Sequence, residues 1–173
     1  MQSVKIDRFL RAAIGVLLVA FVCVIYAAMN EHIVVVGDSA PEFSVTAEDG
    51  RSVGVPAFGG KLLVLNFWAT WCPPCVEETP SLSEFARRFA GKGVVVLGVS
   101  VDKDQAAYRA FLKQHRPAFL TSRDPATKIN ADYGTFRYPE TYIVDAKGKV
   151  IQKIIGPANW TDEKMIAYVN SLL

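Results

Sequence analysis

Two cysteines lie close together in the stretch NFWATWCPPCVEETP, which covers residues 66–80. Only Pro73 and Pro74 separate Cys72 from Cys75. This spacing is typical of a redox-active dithiol or of one half of a metal site. A purely structural disulfide is less favoured, because closing so short a loop removes little entropy from the unfolded chain. The pair therefore indicates redox or metal chemistry.

A metal site is disfavoured by the number of available ligands. Structural zinc usually takes about four protein ligands. Outside the apolar N-terminal run, the chain offers only Cys72, Cys75, His32 and His115, and the two histidines show no metal-like spacing. We expect His115 to be a solvated residue at a helix end and His32 to be a polar residue after the apolar run. Redox chemistry without a metal or other cofactor is the favoured interpretation.

The cysteines lie where a strand pattern gives way to a helix pattern. The run KLLVLNFWA at 61–69 is almost continuously apolar, which suits a strand buried on both faces. Apolar residues then recur at helical spacing as far as Gly91. Cys72 would lie at the start of that helix, where unpaired N–H groups and the helix dipole favour a thiolate. Cys75, one turn later and about 5 to 6 Å away, could resolve a mixed disulfide formed by Cys72.

Glu78 follows Cys75 by one helical turn, so the two residues share a face of the predicted helix. Glu77 points elsewhere. A carboxylate in this place could tune the thiols or accept a proton from Cys75. The alternative is a solvated carboxylate in the first turns that only supports the helix dipole.

The remaining segments alternate between strand and helix patterns. They predict a β-hairpin at 42–55, a buried strand at 93–101, a helix from Asp104 to His115, a short strand at 118–121, a short helix capped by Asp124, a β-hairpin at 140–155 and a final helix capped by Thr161 and ending near Leu173. This order predicts an α/β domain with a mixed central sheet and helices on both faces.

Composition limits the number of domains and the class of partner. The 173 residues, of which 51% are hydrophobic, suffice for about one core of ordinary size. Nineteen basic and 17 acidic residues give a net charge of +2, which provides no strong field to attract nucleic acid. We therefore expect one domain, at 39–173, with an extra segment before it.

The extra segment contains the uncharged run AAIGVLLVAFVCVIYAAM at 12–29. At about 1.5 Å per residue, a helix of this length spans roughly the hydrocarbon layer of a bilayer. Basic residues precede the run and Glu31 follows it, so the positive-inside rule places 1–11 in the cytoplasm and the linker at 30–38 outside. A cleaved signal peptide is the alternative, although the apolar core of such signals is usually only about 7 to 15 residues long.

Several segments together resemble the thioredoxin superfamily, and within it the membrane-anchored TlpA, ResA and CcmG (DsbE) group of thiol-disulfide oxidoreductases. They are GDSAPEFSVTAEDG, NFWATWCPPC, YPETYIVDAKGKV and GPANW, in this order along the chain. The resemblance implies a thioredoxin fold with an added N-terminal β-hairpin. It also implies an active site outside the cytoplasm and a reducing role.

The resemblance also assigns roles to individual residues. Cys72 matches the nucleophile of the family, Cys75 its resolving thiol and Glu78 an acid near the cysteines. Pro139 matches a proline that adopts a cis peptide bond and helps to bind the substrate chain. The residues expected to contact substrate are those that flank the cysteines and this proline: Trp71, Pro73, Pro74, Tyr138 and Pro139. Asn66 departs from ordinary thioredoxins, which carry a proton-relaying aspartate there.

The implied reaction is thiol-disulfide exchange with disulfide-containing proteins as substrates. These substrates are apocytochrome c, copper-site proteins or a broader range of proteins. The tripeptide after Tyr138, PET, favours the cytochrome branch. The resemblance implies re-reduction by a membrane thiol transporter of the DsbD or CcdA kind. It also places the protein in the bacterial cytoplasmic membrane as a single-pass protein, with its catalytic domain on the periplasmic or extracytoplasmic side.

The sequence is also compatible with two other functional classes. A peroxidase is possible because peroxiredoxins share the fold, although Ala69 stands where they place a threonine. A copper-binding chaperone is possible if Cys72, Cys75 and a histidine form a site of soft ligands.

Overall fold

The computed structural model describes residues 2–29, 33–55 and 57–173. Within the first of these ranges, it describes side chains for residues 10–25. His32 and the beginning of the predicted linker, residues 30–32, lie outside the described residues. The chain divides into two compact units, Met1–His32 and Ile33–Leu173.

The first unit contains one helix, α1, at Gln2–Met29. The helix covers the whole apolar run at 12–29, and apolar side chains such as Val16, Leu17 and Phe21 are exposed on it. In the described part of the chain, no helix combines the length and the apolarity that a membrane crossing requires. The predicted membrane span is therefore not confirmed.

The second unit alternates strands and helices. Its elements are β1 (Phe43–Thr46), β2 (Ser52–Val55), β3 (Leu62–Trp68), α2 (Pro73–Phe89), β4 (Val94–Ser100), α3 (Gln105–His115), β5 (Leu120–Arg123), α4 (Lys128–Asp132), β6 (Glu140–Asp145), β7 (Val150–Ile155) and α5 (Glu163–Ser171). β1 and β2 pair antiparallel in the segment for which a hairpin is predicted. The other strands form one sheet in the order β5-β4-β3-β6-β7. It is a mixed sheet, as predicted.

β3 occupies the centre of the larger sheet, and every residue in it is buried. It pairs in parallel with β4, so that Leu65 lies opposite Leu97. It pairs antiparallel with β6, so that Asn66 lies opposite Thr141. The near-continuous apolar run therefore forms the doubly buried strand that its composition predicts.

The two faces of the sheet bury separate apolar clusters. Leu62 and Val64 of β3 join a cluster that includes Phe85 of α2 and Val169 of α5. The alternate residues of β3 join a second cluster with the β1–β2 pair, and Ile129 of α4 packs against it. Helices thus lie on both faces of the sheet, as the order of elements predicts.

The helix caps agree with the sequence in one case and differ in another. The carboxylate of Asp124 accepts hydrogen bonds from the backbone amides of Lys128, Ile129 and Asn130 and so caps the first turn of α4 as predicted, although the residue at the N-cap position is Thr127. The prediction that Thr161 caps α5 is wrong. The hydroxyl of Thr161 donates to the side chain of Asn159 at 2.7 Å. The N-cap residue is Asp162, whose carboxylate accepts a hydrogen bond from the backbone amide of Lys164.

Candidate active site

The two cysteines lie at the N-terminus of α2, where the sequence places them. Cys72 is the N-cap residue and forms a disulfide with Cys75, with an S–S distance of 2.06 Å and a Cα–Cα distance of 5.3 Å. Pro73 and Pro74 occupy the first helical positions, where a missing N–H leaves no hydrogen bond unmade. The backbone amide of Cys75 donates to the sulfur of Cys72 at 3.3 Å. After reduction, this amide and the helix dipole would stabilise a thiolate at Cys72.

A buried carboxylate fixes the loop between β3 and the cysteines. Asp102 follows the end of β4. Because β4 runs parallel to β3, the carboxyl ends of both strands lie at the same edge of the sheet. Its carboxylate accepts hydrogen bonds from the amide of Thr70 at 3.0 Å, from the hydroxyl of Thr70 at 2.7 Å and from the hydroxyl of Ser100 at 2.6 Å. Sequence reasoning missed Asp102. Its place directly after a buried strand that neighbours the cysteine strand was an available signal.

The cis proline predicted at Pro139 is confirmed. The Tyr138–Pro139 bond is the only cis peptide bond among the described residues. Tyr138 packs against the apolar cluster that contains Cys72 and Cys75. Its ring also contacts the ring of Trp71 edge to face, with centroids 5.8 Å apart. The fold therefore brings the predicted substrate-binding residues of the two segments together beside the disulfide.

The surface around the disulfide has a distinct pattern of exposure. Trp71 is 62% exposed, whereas Cys72 and Cys75 are only 5% and 3% exposed in this disulfide form. Pro73 is exposed, Pro74 is half-buried and Pro139 is buried. The difference in exposure between the cysteines is too small to assign their roles. The N-cap position of Cys72 is the stronger basis for making it the attacking thiol.

Glu78 faces the protein interior, so the alternative of a solvated carboxylate is wrong. It is 5% exposed, whereas Glu77 is exposed. The indole N–H of Trp160 and the side-chain amide of Asn66 both donate to its Oε1, the latter at 3.4 Å. Trp160, which precedes α5, had no predicted role, and its sequence separation from Glu78 leaves no local signal for this contact.

Burial raises the pKa of Glu78 to about 7 and outweighs the hydrogen bond from Trp160 and the amide of Ala158, which both lower it. A cleft of about 320 Å³, lined in part by Glu77, Ser81 and Pro157, reaches this residue. Glu78 can therefore exchange a proton near neutral pH, and the cleft provides access for water.

Asn66 supports Glu78 from the central strand. The side chain is buried and donates hydrogen bonds to the hydroxyl of Thr141 at 2.9 Å as well as to Glu78. An amide does not titrate, so Asn66 holds the carboxyl group in place without relaying a proton itself. The expectation that any proton relay uses Glu78 or water is consistent with this arrangement.

A buried ion pair lies directly after the cis proline. Lys153 of β7 contacts the carboxylate of Glu140 at 2.9 Å, and both side chains are almost fully buried. The hydroxyl of Tyr142 donates to the same carboxylate oxygen at 2.5 Å, and Lys153 also donates to the backbone carbonyl of Val34 at 2.9 Å. These contacts fix the start of β6, and hence the position of Pro139. The sequence interpretation assigned no role to Lys153.

The donor set for copper is incomplete in the described part of the chain, where no three His, Cys, Asp or Glu side chains form a group that could hold a metal ion. His115 is exposed, as predicted, and its ring stacks on Phe111 at a centroid distance of 4.2 Å. At the position of the peroxiredoxin threonine, Ala69 is fully buried and offers no hydroxyl group.

Comparisons with known proteins agree with this geometry. The sequence pattern of the Redoxin family matches residues 35–169. Thiol-disulfide oxidoreductase ResA of Bacillus cereus is 34% identical over 137 residues, which cover 79% of this chain and 78% of that protein. ResA of Bacillus subtilis is 28% identical over 171 residues, which cover 96% of this chain and 94% of that protein. A thiol:disulfide interchange protein of the thioredoxin family from Chlorobium tepidum has a similar structure, with a TM-score of 0.67 and 26% identity over 81% of this chain and 99% of that chain.

Replacing Glu78 with Gln should change how stability depends on pH. The folded pKa of about 7 lies above the ordinary value of 4.5, so the folded state binds the proton more tightly. The contribution of Glu78 protonation to stability is therefore complete below the pKa of the unfolded state. It is lost as the pH rises through the pKa of the folded state. We expect the free energy of unfolding of the natural protein to fall by about 3 kcal/mol relative to Glu78→Gln over this window. Denaturant unfolding of the oxidised protein from pH 4 to 8 measures the difference.

The matched control is Glu77→Gln, which changes the exposed neighbour and should keep the pH dependence of the natural protein. Parallel curves for the natural protein and Glu78→Gln would show that the carboxyl group titrates normally in the fold.

Proposed function

The chain belongs to the Redoxin family and is a thiol-disulfide oxidoreductase, and we propose that it reduces disulfide bonds in other proteins. The observation that carries this proposal is the Cys72–Cys75 disulfide at the N-terminus of α2, beside the exposed ring of Trp71 and the loop before Pro139. A dithiol in this position can attack a substrate disulfide at the protein surface and then form its own internal disulfide.

The reaction starts from the reduced protein. The thiolate of Cys72 attacks one sulfur of the substrate disulfide, the substrate S–S bond breaks, and one substrate cysteine leaves as a thiolate. The thiol of Cys75 then loses its proton and attacks Cys72 in the mixed disulfide, which releases the second substrate cysteine. Two electrons pass to the substrate, and the protein is left with the Cys72–Cys75 disulfide.

Glu78 is the proposed acceptor of the proton from Cys75. It lies one helical turn after that residue, and its pKa of about 7 allows it to be deprotonated in part of the population at neutral pH. The cleft at Glu78 then allows the proton to pass to water. The hydrogen bonds from Asn66 and Trp160 keep the carboxyl group fixed during this exchange.

The proposed substrates are proteins with a disulfide at a cofactor-binding site, with apocytochrome c as the favoured class and copper-site proteins as the alternative. The order of residues after Tyr138, PET, supports the cytochrome class by its resemblance to that branch. Each turnover leaves the protein oxidised, so a thiol donor must reduce it again. We propose a membrane thiol transporter of the DsbD or CcdA kind as this donor.

We further propose that the N-terminal segment anchors the protein in the bacterial cytoplasmic membrane, with residues 33–173 outside the cytoplasm. The support is the uncharged run at 12–29, the basic residues before it and the exposure of the described apolar side chains on α1. A surface of this kind is costly to hydrate, so it favours a lipid environment. The anchor would keep the domain close to a membrane electron donor.

Substitution of Cys75 by Ser should stop the reaction at the mixed disulfide, because a serine hydroxyl cannot displace the sulfur. We expect a covalent complex with substrate that survives non-reducing electrophoresis and disappears with dithiothreitol. Mass spectrometry of the complex would then identify the substrate. The matched control is Cys72→Ser, which should trap much less, because Cys75 lacks the N-cap position. Equal trapping by both variants, or by neither, would overturn the assigned roles.

The membrane proposal predicts that the full chain stays in the membrane pellet after washing with alkaline carbonate. Protease added to spheroplasts should digest residues 33–173 while a cytoplasmic marker protein stays intact. Release of the full chain by carbonate would exclude an integral anchor. Digestion only after lysis would place the domain on the cytoplasmic side.

A further inference from the structure

Two aromatic side chains are strongly exposed in the described residues of the second unit, and both belong to segments that flank the disulfide. Trp71, which is 62% exposed, directly precedes Cys72, and Phe136, which is 61% exposed, lies in the loop that leads to Pro139. Large exposed aromatic surfaces are unfavourable in water and are enriched where proteins bind partners. The exposure of Phe136 plays no part in the exchange reaction described above.

The exposure of Phe136 is imposed by the residues on either side of it. Thr135 is buried, its backbone amide donates to the carbonyl of Asn130 at 3.1 Å, and its own carbonyl accepts from the side chain of Asn130 at 2.9 Å. On the other side, the hydroxyl of Tyr138 donates to the side chain of Asn130 at 2.8 Å. One buried asparagine thus fixes both ends of the loop, and residues 136 and 137 project from it into solvent.

Arg137 is held against the aromatic ring beside it. Its guanidinium carbon lies 5.4 Å from the centroid of Phe136, which is the geometry of a cation–π contact. The side chain is exposed, and no carboxylate of the described residues pairs with it. Glu77, the exposed acid that follows the cysteines, forms no ion pair with Arg137 and lines the cleft that also contains Pro157. The donors of Arg137 are therefore available to a partner.

We propose that Phe136 and Arg137 select the substrate: together with Trp71 they form a docking surface for a polypeptide segment that carries an apolar side chain and a carboxylate next to its reactive cysteine. This inference rests on the proposed function, because it concerns the substrate of the same disulfide. The apolar side chain packs against the exposed aromatic surface, and the carboxylate pairs with the guanidinium fork of Arg137.

The physical basis is that the surface is already organised before binding. The loop is fixed at both ends, and the cation–π contact limits the freedom of the arginine, so little entropy is lost when a carboxylate binds. The ion pair between Arg137 and the substrate carboxylate is exposed to solvent. Its free energy should therefore be modest and should weaken as ionic strength rises. A charge on such an exposed surface changes the rate of encounter and docking more than the chemistry of exchange.

The test uses the reduced full-length protein and two synthetic peptides. Each peptide has one cysteine capped as a mixed disulfide with 2-mercaptoethanol, preceded by Leu and followed by Asp in one peptide and by Lys in the other. The second-order rate constant for release of the cap is measured at low salt and at 1 M salt, where the Debye length falls to about 3 Å. Bis(2-hydroxyethyl) disulfide, which has no charge and no side chain, serves as the reference substrate.

We expect the natural protein to reduce the Asp peptide about fivefold faster than the Lys peptide at low salt, and the preference to shrink at high salt. Arg137→Gln should bring the ratio close to one. Phe136→Ala should slow the reduction of both peptides. The control variant is Arg88→Gln, which removes an exposed arginine in the last turn of α2, at the other end of the helix from Cys72, and should keep the full preference.

The outcomes separate the inference from the proposed function. If the natural protein fails to reduce even the uncharged reference disulfide, the proposed function is wrong. If it reduces the reference but shows no preference for the Asp peptide, the docking surface is not selective for a carboxylate. A preference that survives in Arg137→Gln would also overturn the inference, because another group would then provide the charge.

Discussion

The pairing of β3 with its two neighbours is the constraint on which the site depends. Because β3 and β4 run parallel, their carboxyl ends meet at one edge, where Asp102 fixes the loop before the cysteines. Because β6 runs antiparallel to β3, the start of β6 reaches the same edge and delivers Pro139 to it. A shift of β3 by one residue would move its side chains to the opposite buried face and turn Asn66 away from Glu78 and Thr141. The disulfide and the loop before Pro139 therefore meet as a consequence of one strand arrangement.

Behind the disulfide, the buried side chains of Asn66, Glu78 and Trp160 form one hydrogen-bonded group. Glu78 is buried at a cost that appears as its raised pKa, and hydrogen bonds from Trp160 and the amide of Ala158 offset only part of that cost. Elsewhere in the core, Lys153 neutralises the buried carboxylate of Glu140. No lysine, arginine or histidine of the described residues forms an ion pair with Glu78. An unpaired buried carboxyl group beside a dithiol has the properties that a proton acceptor needs.

Local patterns were sufficient to predict most of the framework. The apolar run of β3, the helical spacing after Cys75 and the turn residues of the second hairpin each specify an element through interactions close in sequence. The same holds for the position of Cys72 at the start of α2, whereas local spacing left the direction of Glu78 open between the cysteines and solvent. The contacts of Trp160 with Glu78 and of Asp102 with Thr70 could not be predicted in this way, because they join residues that only the folded sheet brings together. The mistaken cap at Thr161 arose between two adjacent residues that both favour the N-cap position.

The central claim is that the dithiol works as a reductant, and its reduction potential tests that claim most directly. The potential of the Cys72–Cys75 couple can be measured at pH 7 by equilibration with glutathione or dithiothreitol buffers and quantification of the free thiols. A reductase requires a value near that of thioredoxin, about −270 mV, so that electrons flow from the protein to the substrate. A value near −120 mV, which is typical of a strong oxidant, would reverse the direction of electron flow and contradict the account.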